Sequence, residues 1–223
     1  MAIVNLFAAG GVVMWPLLGF SILAVTLILE RVIFWQKVTR QQDHLIREVL
    51  SLYPRSSRAA IQKLEQNSHL PVSRIFLSAL ELQQPNPEEF RLALETAAQA
   101  EIPLLKRFNT IFDTIISLSP LLGLLGTVLG LITSFAALRI GDLAGTQTTG
   151  VTSGISEALV STATGLVVAI FTMLFANTFR GLYQRQIALI QEYGGQLELL
   201  YRRYYEKRDT PFAPLMIGDR PPS

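Results

Sequence analysis

Two long stretches without a charged side chain constrain this chain more than any other feature of its sequence. One covers residues 114–138 and the other residues 158–179, and a charged residue stands at each end of both. A helix needs about 20 apolar residues to cross the hydrocarbon core of a bilayer. Both stretches are long enough, so we predict that each forms a membrane-spanning helix.

The small residues of these two stretches recur at the spacing of one helix face. In the first, steps of three and four residues connect Ser119, Gly123, Gly126, Thr127, Gly130 and Ser134. In the second, the same spacing connects Ala158, Thr162, Gly165, Ala169, Thr172 and Ala176. Small side chains let membrane helices approach closely and bond through hydroxyls. We therefore predict a tight antiparallel hairpin. Its glycine packing positions are Gly123, Gly126, Gly130 and Gly165.

A third uncharged stretch opens the chain. Residues 1–29 carry no charge and are followed by Glu30 and Arg31. In a secretory signal peptide the basic residues precede the apolar core, whereas here they follow it. We therefore predict a retained membrane helix at about 12–34.

The basic residues also predict the orientation of the three helices. Of 19 Lys and Arg, 11 lie in 31–113 and 7 in 180–223, and only Arg139 lies in 139–157. Lys and Arg are enriched on the cytoplasmic side of a membrane. We therefore predict a multi-pass membrane protein in which the N-terminus and the 139–157 loop lie outside and residues 31–113 and the C-terminus lie in the cytoplasm.

The segment between the first two spans predicts a set of helices separated by turn residues. Helices over 41–53, 56–66 and 71–84 each end at proline or at an Asn-Ser pair. Asn86 is a suitable N-cap for a further helix, because proline follows it at the first helical position and acids complete the first turn. Pro103 is expected to interrupt that helix.

The resulting layout is an all-α membrane protein in seven parts. These are a first transmembrane helix (1–35), a cytoplasmic helical domain (36–110), a second transmembrane helix (111–139), an outer loop (140–156), a third transmembrane helix (157–180), a cytoplasmic helical extension (181–208) and a disordered tail (209–223).

Composition and spacing argue against an enzyme or a nucleic-acid-binding protein. The net charge is only +2 and there is no cysteine, so neither a nucleic-acid partner nor thiolate chemistry has support. His44 and His69 lie 25 residues apart with no acidic cluster between them, so we expect no metal site. The glycines 123, 126 and 130 lie in an apolar helix with no following lysine, unlike a phosphate-binding loop. We expect no catalytic residue and no cofactor.

The middle of each predicted span lacks an ionisable residue but contains many hydroxyls. A proton relay in a membrane normally uses an ionisable group. Hydroxyls such as those of Ser134 and Ser161 can line a water wire or bond a carboxylic acid, since they both donate and accept. They can equally bond their own helix or join two helices, and both interpretations stay open.

Two ordered motifs resemble the MotA/TolQ/ExbB proton-channel family, and most closely its three-helix ExbB and TolQ branch. The first runs from Leu118 to Gly130 (LSPLLGLLGTVLG) and the second from Ile155 to Ile170 (ISEALVSTATGLVVAI). The pattern departs at Phe171, where family members usually have proline. The resemblance does not extend to the C-terminal tail.

The resemblance implies an oligomeric bundle around a central pore in the bacterial inner membrane, with the N-terminus periplasmic and the C-terminus cytoplasmic. Family members form a homo-pentamer around single-span ExbD/TolR-like partners, whose intramembrane Asp titrates, and act on a TonB/TolA-like energy transducer. Thr127 and Thr162 stand where the family has pore-lining threonines. Glu157 stands at its acidic position at the outer end of the third helix. With the nearby hydroxyls, the predicted pathway residues are Thr127, Thr162, Glu157, Ser161 and Ser134.

Two other functions fit the residues alone. A structural membrane scaffold would use the small-residue faces for assembly without ion flux. A transporter with its own substrate site would need broken helices at the midplane, and only Pro120, near the inner side, could break one. Within the resemblance, an ExbB or a TolQ role and proton or sodium coupling stay open.

Overall fold

The computed structural model describes residues 10–141 and 147–209, with side chains at 10–137 and 150–206. The described residues fold into helices and turns, without a strand. In chain order the helices are α1 (Met14–Leu52), α2 (Ser57–Gln66), α3 (Pro71–Leu80), α4 (Pro87–Leu105), α5 (Asn109–Gly141) and α6 (Gln147–Asp209).

Three helical segments of the described chain are long and apolar enough to cross a membrane. They are Met14–Leu52, Pro87–Ala137 and Gly150–Glu206. The predicted all-helical protein with three transmembrane helices is thereby confirmed. The arrangement of several copies around a pore stays a prediction.

Contacts divide the chain into two compact units. The first contains the described residues up to Gln36 together with Lys106–Gln184, and the second contains Lys37–Leu105 and the described residues from Arg185 onward. In the first unit, α5 and α6 pack antiparallel through small residues. The start of α1 is buried there too, where Val13, Met14 and Leu17 pack with Leu122 of α5.

The second unit has a conventional apolar core. Its fully buried side chains include Ile46, Leu64, Ile75, Phe76, Phe90 and Leu197. The ring of Phe90 stacks on that of Tyr201, with centroids 4.1 Å apart. Tyr53 is buried in this unit as well, and its desolvation raises the pKa of the phenol to about 12, with Tyr201 and Tyr204 contributing.

One ion pair joins α3 and α4 within the second unit. Arg74 Nε lies 2.6 Å from Glu101 Oε1 and Arg74 Nη2 lies 2.5 Å from Glu101 Oε2, so the guanidinium engages both carboxylate oxygens. The hydrogen bonds to Glu101 raise the pKa of Arg74. Glu101 is only 8% exposed, so the carboxylate side of this ion pair lies largely out of solvent.

The predicted start of α4 matches the structure. The Asn86 side-chain oxygen accepts hydrogen bonds from the N–H groups of Glu88 (3.0 Å) and Glu89 (2.8 Å). In return, the Glu89 carboxylate accepts one from the Asn86 N–H at 2.8 Å. This reciprocal pattern is a capping box, and it satisfies the free donors of the first turn.

The predicted helix boundaries were wrong in the first part of the chain. We expected separate helices at about 12–34 and 41–53, but α1 continues without a break to Leu52. Neither glycine nor proline occurs between Phe20 and Tyr53, so nothing in this segment ends the helix. Helix α3 ends at Leu80 rather than at Gln84, which has a positive φ of 50°.

Proline did not interrupt α4 where we expected it. The helix passes through Pro103 to Leu105, and the break comes three residues later, at Phe108, whose φ is 69°. Pro120 likewise lies inside the continuous helix α5. The helix before α5 is therefore interrupted at a left-handed residue and not at a proline.

Residues 147–156, which we assigned to the outer loop, are helical. Helix α6 begins at Gln147, although the segment is rich in Gly, Ser and Thr. Packing explains the difference, because the Ser134 hydroxyl of α5 donates to the carbonyl oxygen of Val151 at 3.2 Å. Tertiary contacts thus outweigh a weak helix propensity. Residues 142–146 and the predicted disordered residues 210–223 lie outside the described chain.

Candidate functional site

The candidate site is the helix pair α5–α6, whose contact surface consists of small residues. On α5 the buried positions of this seam are Ser119, Gly123, Gly126, Gly130 and Ser134. On α6 they are Gly154, Ala158, Ser161, Gly165, Ala169, Thr172 and Ala176. All five of these α5 positions were expected on the contact face. Thr127 was expected there too, but it is only half-buried.

The two backbones touch where the glycines lie. A Cβ added at Gly165 would stand 2.4 Å from the carbonyl oxygen of Ser119, and one at Gly130 would stand 2.5 Å from that of Gly154. A Cβ at Gly123 would stand 2.9 Å from Thr162 Cα. Real side chains do not approach backbone atoms so closely, so these positions accept only glycine without a shift of the helices.

Hydroxyls at the seam bond carbonyl groups, and some of these bonds cross between the helices. Thr162 Oγ1 donates to the Gly123 carbonyl oxygen at 3.0 Å. Ser161 Oγ lies 3.4 Å from the same oxygen and 2.9 Å from the carbonyl oxygen of Ala158 on its own helix. Ser134 Oγ bonds Gly130 O at 3.0 Å besides its contact with α6. These groups are satisfied within one chain.

The first helix covers only one side of the pair. Val13, the residue before α1, lies 3.7 Å from a Cβ placed at Gly126, and it clusters with Met14 and Leu17 of α1 and with Leu122 of α5. Thr127 follows Gly126 by about 100° around the helix and therefore turns away from α1. Its neighbours on this uncovered face, such as Leu124 of α5, are exposed.

Thr162 lies on the same uncovered face as Thr127. Val160 of α6 faces the turn before α1, with its Cγ1 3.2 Å from a Cβ placed at Gly10, and Thr162 lies about 200° further around the helix. Both threonines are half-buried. The Thr127 hydroxyl donates to Leu124 O of its own helix at 2.6 Å, so it makes no bond across the seam.

Glu157 does not share this face with Thr162. Its carboxylate lies against the turn that precedes α1, where a Cβ placed at Gly11 would stand 1.7 Å from Glu157 Oε1. The five residues from Glu157 to Thr162 correspond to about 140° of rotation, which agrees with their separation onto two sides. The acid and the two threonines are thus brought to one helix pair but not to one surface.

The remaining predicted pathway residues are enclosed between the two helices. Ser161 is 0% exposed and Ser134 is 3% exposed, and both occupy the seam. Their position makes them packing groups in the single chain. Their role in a proton pathway stays a prediction, as does that of Thr127, Thr162 and Glu157.

A charged pair that we did not predict joins the far end of the hairpin. Arg180 of α6 donates a hydrogen bond to the Asp113 carboxylate of α5 and another to Asn177 Oδ1 at 3.2 Å. Both charged side chains are substantially exposed. The signal was available in the sequence, because Asp113 and Arg180 bound the two uncharged stretches at ends that an antiparallel hairpin brings together.

Metal-binding potential is low over the described chain. Between residues 10 and 206, leaving out the gap around 138–149, no group of three or more His, Cys, Asp or Glu side chains could hold a metal ion. The chemistry that the α5–α6 pair offers is therefore that of hydroxyls and backbone carbonyls, with single carboxylates at its ends.

Comparison with known proteins gives a consistent family assignment. The protein named ExbB-like 3 of Synechocystis sp. is 60% identical over 199 residues, which are 89% of this chain and 95% of that protein. ExbB-like 1 of the same organism is 41% identical over 215 residues, 96% of this chain and 85% of that protein. The biopolymer transport protein ExbB of Salmonella typhimurium is 38% identical over 117 residues, about half of each chain.

A family model identifies the matching region directly. The model described as the MotA/TolQ/ExbB proton channel family matches residues 67–192, which include α4, α5 and most of α6. This region contains the whole small-residue seam and both threonines. The chain belongs to the MotA/TolQ/ExbB proton channel family.

Proposed function

We propose that this protein is the proton-channel subunit of an ExbB/TolQ-type motor in the bacterial inner membrane. Five copies would surround a single-span ExbD/TolR-like partner that carries an intramembrane Asp. Proton flow into the cell would drive work on an envelope partner through a TonB/TolA-like transducer. The N-terminus would face the periplasm and the C-terminus the cytoplasm.

The observation that supports this function best is the uncovered face of the α5–α6 pair. Thr127 and Thr162 lie on it, and α1 packs on the other side. In the middle of the three spans the sequence has no ionisable residue. A hydroxyl-bearing face without its own acid can complete a proton pathway only with a carboxyl group from elsewhere, which the partner's Asp would supply.

In this arrangement the residues divide into two roles. Thr127 and Thr162 would line the pathway, and Glu157 would stand at its outer end. Ser161 and Ser134 would contribute where the seam opens toward the pathway. Gly123, Gly126, Gly130 and Gly165 would hold the helices close enough for each copy to present one rigid wall.

Proton flux with and without the partner tests the proposal. The chain would be reconstituted into liposomes that report internal pH, alone and with the single-span protein that co-purifies with it. We expect flux only with the partner, and none when the partner's intramembrane Asp is replaced by Asn. A stable oligomer that conducts no protons in any combination would instead indicate a structural scaffold.

Native mass measurement of the same preparation tests the stoichiometry. Five copies of this chain per particle are expected. A particle that stays monomeric in mild detergent would contradict the shared pore, because one chain alone cannot enclose the face that carries Thr127 and Thr162.

A further inference from the structure

Two consecutive glycines form a turn immediately before α1, and this turn lies against Glu157. Gly11 has a φ of +69°, a left-handed conformation that glycine adopts without strain. Its carbonyl oxygen accepts a hydrogen bond from the Met14 N–H at 3.2 Å, which closes the turn. The turn therefore has a defined shape at the point where it meets α6.

Neither glycine leaves room for a side chain. A Cβ at Gly11 would stand 1.7 Å from Glu157 Oε1 and 2.6 Å from its carboxyl carbon. A Cβ at Gly10 would stand 2.5 Å from Met14 Cγ and 3.2 Å from Val160 Cγ1. At Gly19, which lies in α1 eight residues further along the chain, a Cβ would have no atom within 4 Å, so the crowding is specific to the turn.

Shape determines where the Glu157 carboxylate lies. Among the described side chains, Glu157 makes no hydrogen bond and no ion pair. The bonds that usually fix a carboxylate are thus missing from this part of the chain, whereas the main chain of Gly11 lies in contact with it. The side chain is half-buried and lies on the α1 side of α6.

We propose that the Gly11 turn is a seat that positions the Glu157 carboxylate, so that the turn before α1 takes part in the outer end of the proton pathway. This inference rests on the proposed function, in which Glu157 stands at that end. Gly11 acts only through Glu157 and is a positioning residue. The turn before α1 would then have a role besides that of leading into a membrane helix.

The direct test replaces Gly11 by alanine in the full-length chain with its partner. A methyl group at this position displaces the carboxylate by more than 1 Å, because an ordinary contact needs about 3.4 Å. A misplacement of this size lowers the rate of a positioned group by on the order of tenfold or more. We expect proton flux per assembled complex to fall accordingly, its dependence on outside pH to shift, and the oligomer yield to stay at the wild-type level.

Two further variants separate positioning from simple strain. Gly11→Ala combined with Glu157→Asp shortens the acid by one methylene, and we expect it to recover part of the lost flux. Gly19→Ala, in the open part of the same helix, should behave as wild type. The carboxyl stretching band that disappears in Glu157→Gln should shift in frequency in Gly11→Ala, which reports the seat without relying on flux.

The outcomes distinguish this inference from the proposed function. Wild-type flux together with an unchanged pH profile and carboxyl band in Gly11→Ala would overturn the seat and leave the channel function standing. Loss of oligomer in Gly11→Ala without rescue by Glu157→Asp would also overturn it, in favour of a structural role. Absence of flux in the wild type would refute the proposed function. The carboxyl band of Gly11→Ala would still show whether the Gly11 turn positions the Glu157 side chain.

Discussion

The hydroxyl of Thr162 donates a hydrogen bond to the carbonyl oxygen of Gly123, 3.0 Å away on the neighbouring helix. Thr127 lies on the same open face but bonds Leu124 O of its own helix at 2.6 Å. One threonine therefore joins two helices and the other does not. This difference makes their contributions to packing and to proton movement separable.

Replacement of Thr162 by valine should destabilise the helix pair. Valine keeps the shape and removes the donor, and interhelical hydrogen bonds in membranes contribute about 0.6 kcal/mol, and up to about 1.7 kcal/mol. Thr127→Val is the matched control and should leave stability near wild type, because its bond lies within one helix. Reversible unfolding in mixed micelles measures both, and equal losses for the two variants would contradict the assignment.

Replacement of Thr127 by valine should instead affect conduction. If this hydroxyl lines the pathway, its removal abolishes coupling and leaves the oligomer intact, since no seam contact is lost. The measurement is proton flux divided by the amount of assembled complex. Unchanged flux per complex would exclude Thr127 from the pathway.

Alanine substitutions at glycines should follow the atoms that each new Cβ meets. Gly165→Ala confronts the backbone of α5 at 2.4 Å, so the helices must separate, and overpacking of this kind costs about 1–3 kcal/mol. Gly126→Ala meets the short Ser161 side chain at 2.2 Å and should cost less. Gly181→Ala, with nothing within 4 Å, is the control.

Crosslinked oligomer yield at matched expression, together with thermal stability, ranks these variants. The expected order of damage is Gly165, then Gly126, then Gly181. If Gly165→Ala were as stable as Gly181→Ala, the backbone contact in the seam would be wrong.

Replacing one partner of the Arg74–Glu101 ion pair should destabilise the second unit much more than replacing both partners. Arg74→Met leaves the Glu101 carboxylate buried without its partner and should destabilise the protein by roughly 1.5–3 kcal/mol. Replacing both residues by methionine removes the unpaired charge and should recover most of that loss. A double-mutant cycle in urea provides the measurement, and strict additivity of the two single changes would contradict a direct coupling.

Tyr53 should make the second unit sensitive to alkaline pH. Burial raises its pKa to about 12 from the ordinary value of 10.0, so the folded state retains the proton after the unfolded state has lost it. The stabilisation is complete below pH 10 and is lost as the pH rises through 12. Absorbance of tyrosinate at high pH should contain a late component that Tyr53→Phe removes, and that variant should lose less stability between pH 10 and 12.

Much of the seam followed from the sequence, because helix geometry dictates which small residues share a face. On α6 the expected positions Ala158, Gly165, Ala169, Thr172 and Ala176 are buried as well, and the difference is confined to one hydroxyl. We placed Thr162 on the contact face, but its neighbour Ser161, about 100° away, is the fully buried one. Adjacent hydroxyls at 161, 162 and 164 permit either rotation, and the backbone contact of Gly165 with Ser119 decides between them.

Contacts between residues that are distant in the sequence could not be predicted from a periodic pattern. The proximity of Gly11 to Glu157 depends on where α1 meets the hairpin, and no spacing within either segment encodes it. The early start of α6 was missed for a similar reason, since Ser134 and Val151 must already be neighbours for the Gly-rich segment to gain from being helical. Local sequence patterns could predict the membrane-spanning helices but not these contacts between distant residues.

The glycine and serine seam also bears on how the protein enters the membrane during synthesis. Each of these positions offers lipid little apolar surface and leaves a carbonyl oxygen, such as that of Gly123, accessible from the side. The partner that covers this oxygen is Thr162, 39 residues later in the chain. Helix α5 should therefore be less stable alone in lipid than its apolar length suggests. We expect the translocation machinery to release α5 and α6 into the bilayer as a pair, after α1 has already been inserted.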